Sequence, residues 1–219
     1  MLRYQCLVLD HDDTVVASEE AINYPCFLDN MRHFRPGEFL TRDEFTYWCF
    51  KLGFEGLMRE RYQFTDEEMK EEFQMWLDYS KTRIPPAYPG ISDIIAEQLR
   101  RGGIVCVSSH SGKNNILRDY QTHFGIEPNE IFSWDMAPET RKPSPYALEH
   151  IMDKYGLTER QIVMIDDLKP GFDMAKKVNV DFIFAGWGRK NVPEINQFME
   201  QHCDFAFYDT QKLYEFLFP

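Results

Sequence analysis

Short apolar runs that stop abruptly at polar residues punctuate the chain. Cys6-Leu7-Val8-Leu9 stops at Asp10, Ile104-Val105-Cys106-Val107 at Ser108-Ser109, Ile162-Val163-Met164-Ile165 at Asp166-Asp167, and Phe182-Ile183-Phe184-Ala185 at Gly186. Runs of this length without alternation suit strands buried on both faces, as in a parallel sheet. Asp204-Phe205-Ala206-Phe207 predicts a further edge strand, and Ile131-Phe132-Ser133 is a weaker candidate. Helical spacing lies between these runs. Ile91, Ile94, Ile95 and Leu99 form one stripe, stopped by Gly102-Gly103; Tyr146, Leu148, Ile151 and Tyr155 form another, closed by Gly156. Strands alternating with helices predict an open α/β sheet, in which ligands bind at the carboxyl ends of strands. Asp10, Ser108 and Asp166 all fall at such ends.

Residues from about 16 to 88 read differently, with no strong buried strand. Thr41-Arg42-Asp43-Glu44 and Thr65-Asp66-Glu67-Glu68 have the form of capping boxes that open helices. Phe45, Trp48, Cys49 and Leu52 then make one helical stripe, and Met69, Phe73, Trp76 and Leu77 another. The pattern predicts an all-helical insertion that returns to the sheet through Pro85-Pro86-Ala87-Tyr88-Pro89-Gly90, a Pro/Gly-rich boundary.

Composition narrows the classes. Of 219 residues, 43% are hydrophobic, enough for a sizeable core, so disorder is excluded. The length fits one large domain, or one domain carrying a smaller insertion. Thirty-six acidic against 24 basic side chains give a formal net charge of −12, which argues against binding to duplex nucleic acid or an anionic membrane. No apolar stretch approaches the roughly 18–20 residues of a membrane span, and the N-terminus lacks the pattern of a signal peptide. Cys6, Cys26, Cys49, Cys106 and Cys203 are odd in number and far apart, so a reducing cytosol is expected rather than a disulfide framework or a zinc site.

Asp10-His11-Asp12-Asp13-Thr14 follows directly on a buried strand. Carboxylates this close raise one another's pKa or recruit a cation, and a hard divalent ion such as magnesium is the natural counter-charge. A solvated Asp turn explains the cluster equally well when it is taken alone. Asp166-Asp167 ends another strand, so two acidic groups can converge on one ion. Lys142, in Arg141-Lys142-Pro143-Ser144-Pro145, precedes a helix and could hold a phosphate, although an exposed Lys is the commoner fate. Ser108 and Ser109 precede the helical stretch Asn114–Tyr120, where a hydroxyl and backbone N–H groups make an anion site or simply a Ser-rich helix start.

These motifs together resemble the haloacid-dehalogenase (HAD) superfamily, with a small helical cap inserted after the first motif. Asp10-His11-Asp12-Asp13-Thr14 resembles the D-x-D-x-T signature, Ile104 to Ser108 the strand ending in Ser or Thr, Lys142-Pro143-x-Pro145 the K-P-x-P form of the third motif, and Asp166-Asp167 the acidic fourth. Tyr88-Pro89-Gly90-Ile91 and Ala185-Gly186-Trp187-Gly188 are similar to the family's connecting segments. The chain departs from the family at Asp13, where Gly is common, and at Ile165-Asp166, where Gly-Asp is common. The resemblance implies a Rossmann-like core of residues 1–15 and 89–219 and a helical cap of residues 16–88. It further implies that Asp10 attacks phosphorus, that Asp12 protonates the leaving alcohol and then deprotonates water, and that Ser108, Ser109 and Lys142 hold the phosphoryl group. Magnesium would be held by Asp10, the Asp12 carbonyl and Asp166, with Asp167 behind Asp166.

Within the family, Asp12 favours phosphoryl transfer over dehalogenation, since a halide leaves without a proton. A phosphonatase would use a cap lysine, and Lys51, Lys70 and Lys81 lack a diagnostic context. β-Phosphoglucomutase-like proteins carry a His where this chain has Ile22, while Ser18 matches their hinge hydroxyl. A non-catalytic HAD-like binding module would be marked by loss of Asp10, Lys142 or Asp166, and none is lost. The cap aromatics Tyr47, Trp48, Phe50, Phe54, Tyr62, Phe64 and Tyr79 are expected mostly to pack together, with a minority facing the cleft. Arg59 and Arg61 are candidates for a second anionic group, and His11 and His110 for cleft residues. The expectation is a cytoplasmic, magnesium-dependent phosphatase of a small phosphorylated metabolite, monomeric or weakly dimeric.

Overall fold

The computed structural model describes residues 2–219. Six strands form one parallel sheet: β1 (Cys6–Leu9), β2 (Ile104–Ser108), β3 (Glu130–Phe132), β4 (Ile162–Asp166), β5 (Asp181–Ala185) and β6 (Phe205–Phe207), in the order β3-β2-β1-β4-β5-β6. β1 is central, with Leu7 paired to Val105 on one side and Val163 on the other. Alternation along each strand divides the side chains between two faces. Leu7, Leu9, Val105, Val107, Val163 and Ile165 pack with α4 (Ile91–Arg100), α5 (Lys113–Phe124) and α9 (Thr210–Leu217). Cys6, Val8, Cys106, Ile162 and Met164 pack with α6 (Tyr146–Tyr155), α7 (Lys169–Lys177) and α8 (Pro193–His202). Coverage on both faces explains the unbroken apolar runs. All five cysteines are free. No described helix is long and apolar enough to cross a membrane.

Between β1 and α4 the chain forms α1 (Tyr24–Phe34), α2 (Arg42–Gly56) and α3 (Asp66–Thr82), the helical insertion. Its two connections run side by side. Ala17 N donates to Pro86 O at 2.9 Å, and Tyr88 N to Val15 O at 3.0 Å. Both capping boxes are present, Thr41 with Glu44 and Thr65 with Glu68. Phe27, Met31, Phe45, Leu57, Met58, Tyr62 and Phe64 make the insertion's own core, with Trp48 and Phe54 against it.

One feature of α2 and one correction to α3 stand out. The stripe Phe45, Trp48, Cys49 and Leu52 ends where α2 kinks, because Gly53 sits at φ 71°. The stripe assigned to α3 is also displaced: Phe73 is 41% exposed, stacked on Trp76, while Glu72 and Ser80 are buried. The inward face of α3 meets the polar Asn30 of α1, 3.5 Å from Glu72, and not a continuous apolar wall.

Candidate active site

Asp10 leaves β1 with its amide donating to Ile165 O at 2.8 Å, which ties the ends of β1 and β4 together. Asp10, Asp166 and Asp167 then converge, each offering a carboxylate oxygen within 4.8 Å of the others. Lys142 arrives from the loop before α6, through a cis Lys142–Pro143 peptide. Its Nζ donates to Asp10 Oδ1 at 2.7 Å and to Asp166 Oδ2 at 2.6 Å. All four residues are buried. Burial acts to lower the Lys142 pKa, but the charges of Asp10 and Asp166 outweigh it and hold the ammonium above its ordinary value. Burial pushes Asp166 up to about 6, against the pull of Lys142.

Asp166 and Asp167 are held differently. Both oxygens of Asp166 are engaged, Oδ2 by Lys142 and Oδ1 by the Leu168 amide at 2.8 Å. Asp167 engages only Oδ2, which accepts from Arg189 Nε at 2.6 Å and lies 2.5 Å from Nη2 in the same ion pair. The first turn of α7 presses on this pair. A Cβ at Gly171 would collide with the Asp166 carboxylate, so only glycine fits there.

The loop after Asp10 curls back on itself: Val15 N and Val16 N donate to His11 O, and Asp13 N donates to Val16 O at 2.7 Å. Asp13 takes φ 57° to make this turn, a region that favours Gly and tolerates Asp. Asp12 is partly exposed. Burial against its surroundings pushes the Asp12 carboxyl above the usual range; Asp10 adds to this, while His11 and the hydroxyls of Ser18 and Ser111 oppose it. His11 turns away from the acids. Its Nε2 lies 3.1 Å from Asp119 on α5, its ring stacks on Tyr120, and its Nδ1 is buried without a partner.

The two serines at the end of β2 are buried. Ser108 Oγ has Met174 Sδ as its partner at 3.9 Å, and Ser109 Oγ accepts from Ser111 N at 3.2 Å. One backbone N–H at the start of α5 is already taken, because Asp135 Oδ2 accepts from Lys113 N at 2.6 Å. His110 Nε2 lies 2.9 Å from the carbonyl of Lys142. Arg59 pairs with Glu55 and Asp66, and Arg61 stacks over Trp48 and Tyr62, so both guanidiniums have partners within the insertion. Tyr47 and Phe50 of α2 pack on the core instead, Phe50 against Phe198 with ring centroids 5.4 Å apart.

Arg189, in the loop after β5, is the residue the sequence did not disclose. It is 4% exposed and meets three carboxylates: Asp167, Glu19 Oε2 at 2.5 Å from Nη1, and Asp13 Oδ2 at 3.3 Å from Nη2. Burial pushes Asp13 up to about 7 despite Arg189, and pushes Asp167 well above its usual range. Asp13 also accepts from the Glu19 amide at 3.1 Å and the Tyr88 hydroxyl at 3.4 Å. The sequence held one signal for Arg189: an acid at position 13, buried beside other acids, requires a cation.

A parallel sheet with carboxylates at the ends of β1 and β4, a lysine between them and a helical insertion after the first acid defines a Rossmann-like α/β core with a candidate metal-binding acid cluster. The model of the haloacid dehalogenase-like hydrolase family matches residues 7–185, and the chain belongs to that family. Solved structures share its fold at low identity. A predicted phosphoglycolate phosphatase from Haemophilus somnus 129PT is 15% identical, with 99% of each chain covered and a TM-score of 0.77. CbbY from Rhodobacter sphaeroides, in complex with phosphate, is 18% identical, with 97% of this chain and 96% of that one covered and a TM-score of 0.73. A Bacteroides vulgatus protein provisionally described as a β-phosphoglucomutase is 18% identical, covering 98% of this chain and 87% of that one at a TM-score of 0.73. No curated protein compared with the chain matches it.

Proposed function

We propose that the protein is a magnesium-dependent phosphatase acting on a small phosphorylated metabolite. The observation that carries this reading is Lys142 Nζ bridging Asp10 and Asp166, residues from separate motifs, beside Asp167. The donor set fits the ion: three hard carboxylates in one buried cluster suit a small divalent cation. Asp10 and Asp167 would hold it through carboxylate oxygens and Asp12 through its carbonyl. Asp167 takes the place first given to Asp166, because Asp166 is committed at both oxygens. When bound, the ion offsets the negative charge of the phosphate and of its attacker.

The chain's own residues do the rest. An Asp10 oxygen attacks phosphorus while the ester P–O bond breaks, which leaves an aspartyl-phosphate. Asp12, whose carboxyl is pushed above its ordinary range by burial, passes its proton to the departing alkoxide. The Asp12 carboxylate then takes a proton from water, the hydroxide attacks phosphorus, the Asp10–P bond breaks, and phosphate leaves. Lys142 supplies positive charge beside the transferring group throughout. Ser108 and Ser109 border the phosphate position, and residues 16–88 act as a cap over residues 1–15 and 89–219, excluding bulk water when closed. Ile22, buried where mutase-like proteins carry a His, has no proton to offer, which favours hydrolysis.

The test is phosphate release from p-nitrophenyl phosphate and a panel of metabolite phosphates, with magnesium and with EDTA, alongside Asp10→Asn. Magnesium-dependent release that is lost in the variant supports the reading. Equal release by Asp10→Asn would sink it.

A further inference from the structure

Arg189 joins parts of the molecule that the phosphatase chemistry does not by itself connect. On the core side its Nε donates to Asp167 Oδ2 at 2.6 Å, and Nη2 lies 2.5 Å from the same oxygen. On the other side its Nη1 donates to Glu19 Oε2 at 2.5 Å, in the first turn of the helical insertion. Glu19 continues the chain outward, because its Oε1 accepts from Thr46 Oγ1 of α2 at 2.6 Å. The Glu19 amide in turn donates to Asp13, which also accepts from Arg189. One buried guanidinium therefore fixes the acid at the end of β4, the turn after β1 and the seating of two helical segments of the insertion.

We infer that Arg189 is a positioning residue that couples seating of the cap to the metal affinity of the acid cluster. The inference rests on the proposed reading of Asp10 and Asp167 as metal ligands. Its physical basis is the fork geometry of arginine, which can grip Asp167 and Glu19 with separate N–H groups at once. While Glu19 shares the guanidinium, Asp167 keeps its other oxygen uncommitted and part of the Arg189 charge is neutralised. When the cap swings away, Glu19 and Thr46 leave with it. Arg189 then bears on Asp167 and Asp13 alone, and its unshared positive charge opposes a cation. Closure thus raises metal affinity, and by linkage a bound metal favours closure by the same factor.

The experiment uses Mn2+ as the probe on the full chain, with affinity from calorimetry and hydrogen exchange followed over residues 17–24. Thr46→Val and Glu19→Gln touch neither Asp10 nor Asp166. Each is expected to weaken Mn2+ binding about five- to tenfold and to abolish the slowing of exchange over 17–24 that Mn2+ produces in the parent. Arg189→Lys keeps the charge but loses the fork, and is expected to fall at least as far as Thr46→Val. Circular dichroism checks folding, and Thr46→Val, which removes a single hydroxyl, keeps the test open should the charged variants not fold. If Asp167→Asn loses Mn2+ while Thr46→Val and Glu19→Gln bind it like the parent, the coupling is overturned and the metal assignment stands. If Asp167→Asn binds Mn2+ like the parent, the metal assignment itself is overturned and the coupling with it.

Discussion

Replacing Lys142 by methionine tests the electrostatics at the centre of the site. The ammonium is buried and lies within 2.7 Å of Asp10 and 2.6 Å of Asp166. Methionine fills the volume but leaves two buried carboxylates facing each other without a cation. Breaking a buried pair in this way costs about 3–5 kcal/mol, and for a chain of this size each kcal/mol moves Tm by roughly 2–4 °C. The variant should therefore melt about 6–20 °C below the parent at pH 8 in EDTA. The pH dependence has a definite sign. Asp166 is raised in the fold to about 6 from an ordinary value of 3.8, so its contribution to stability is full below 3.8 and is lost as pH rises through about 6. Without Lys142 that midpoint moves higher still, and at pH 5 a proton on Asp166 removes one of the two uncompensated charges. The gap in Tm between parent and variant should shrink by at least half at pH 5. Other raised acids titrate in both proteins and cancel in the difference. Circular dichroism melts at pH 5 and 8 decide the matter: a gap of equal size at both, or no gap at pH 8, would refute the reasoning.

Three further outcomes follow from the same structure. Burial alone pushes Glu72 up to about 7, so its charged form costs stability as pH rises past that value. Glu72→Gln should accordingly stabilise the protein by up to about 3 kcal/mol at pH 8 and by less than about 1 kcal/mol at pH 5, as read by urea melts. Asp12→Asn keeps the nucleophile but removes the proton carrier, so rapid-quench kinetics should show both formation and breakdown of the aspartyl-phosphate slowed about 10²–10⁴-fold. Thr65→Ala deletes the hydroxyl that caps α3 through Glu68 N at 3.2 Å, and should cost about 1 kcal/mol in a denaturant melt.

The sheet was legible because β1, β2, β4 and β5 are covered by helices on both faces, which leaves continuous apolar runs in the sequence. α3 was harder to read. Its aromatic spacing suggested Phe73 inside, but α1 meets it with Asn30, and the turn that packs there carries Glu72. Asp10, Lys142, Asp166 and Asp167 could be named from their motifs, and the structure brings them together. Alternation along a strand left the direction of His11 open; Asp119 on α5 fixes it, a contact across 108 positions that no local pattern encodes. Arg189 lay outside reach for a similar reason. An arginine in a loop normally reads as surface, and its three partners come from the turn after β1, the start of the insertion and the end of β4.

Asp13 and Arg189 act as one energetic unit, a buried ion pair. The family commonly has Gly at the first, where the backbone sits at φ 57° and where this chain accepts both a left-handed Asp and a further buried carboxylate. Arg189 makes that carboxylate tolerable, and the energies should be correspondingly non-additive. Arg189→Met leaves Asp13, Glu19 and Asp167 buried without a cation, a loss of about 3–5 kcal/mol. Adding Asp13→Gly in that background removes one uncompensated acid and the left-handed side chain together, and should restore about 1–3 kcal/mol, the range of coupling seen for residues in one network. In the parent, the same Asp13→Gly change breaks contacts with Arg189, Tyr88 and the Glu19 amide, so it should be markedly less favourable there. Urea melts of the four proteins at pH 8 give the coupling directly. Additivity within about 0.5 kcal/mol, the expectation for independent sites, would mean that Arg189 answers to Asp167 and Glu19 alone, and that the acid at position 13 has some other compensation.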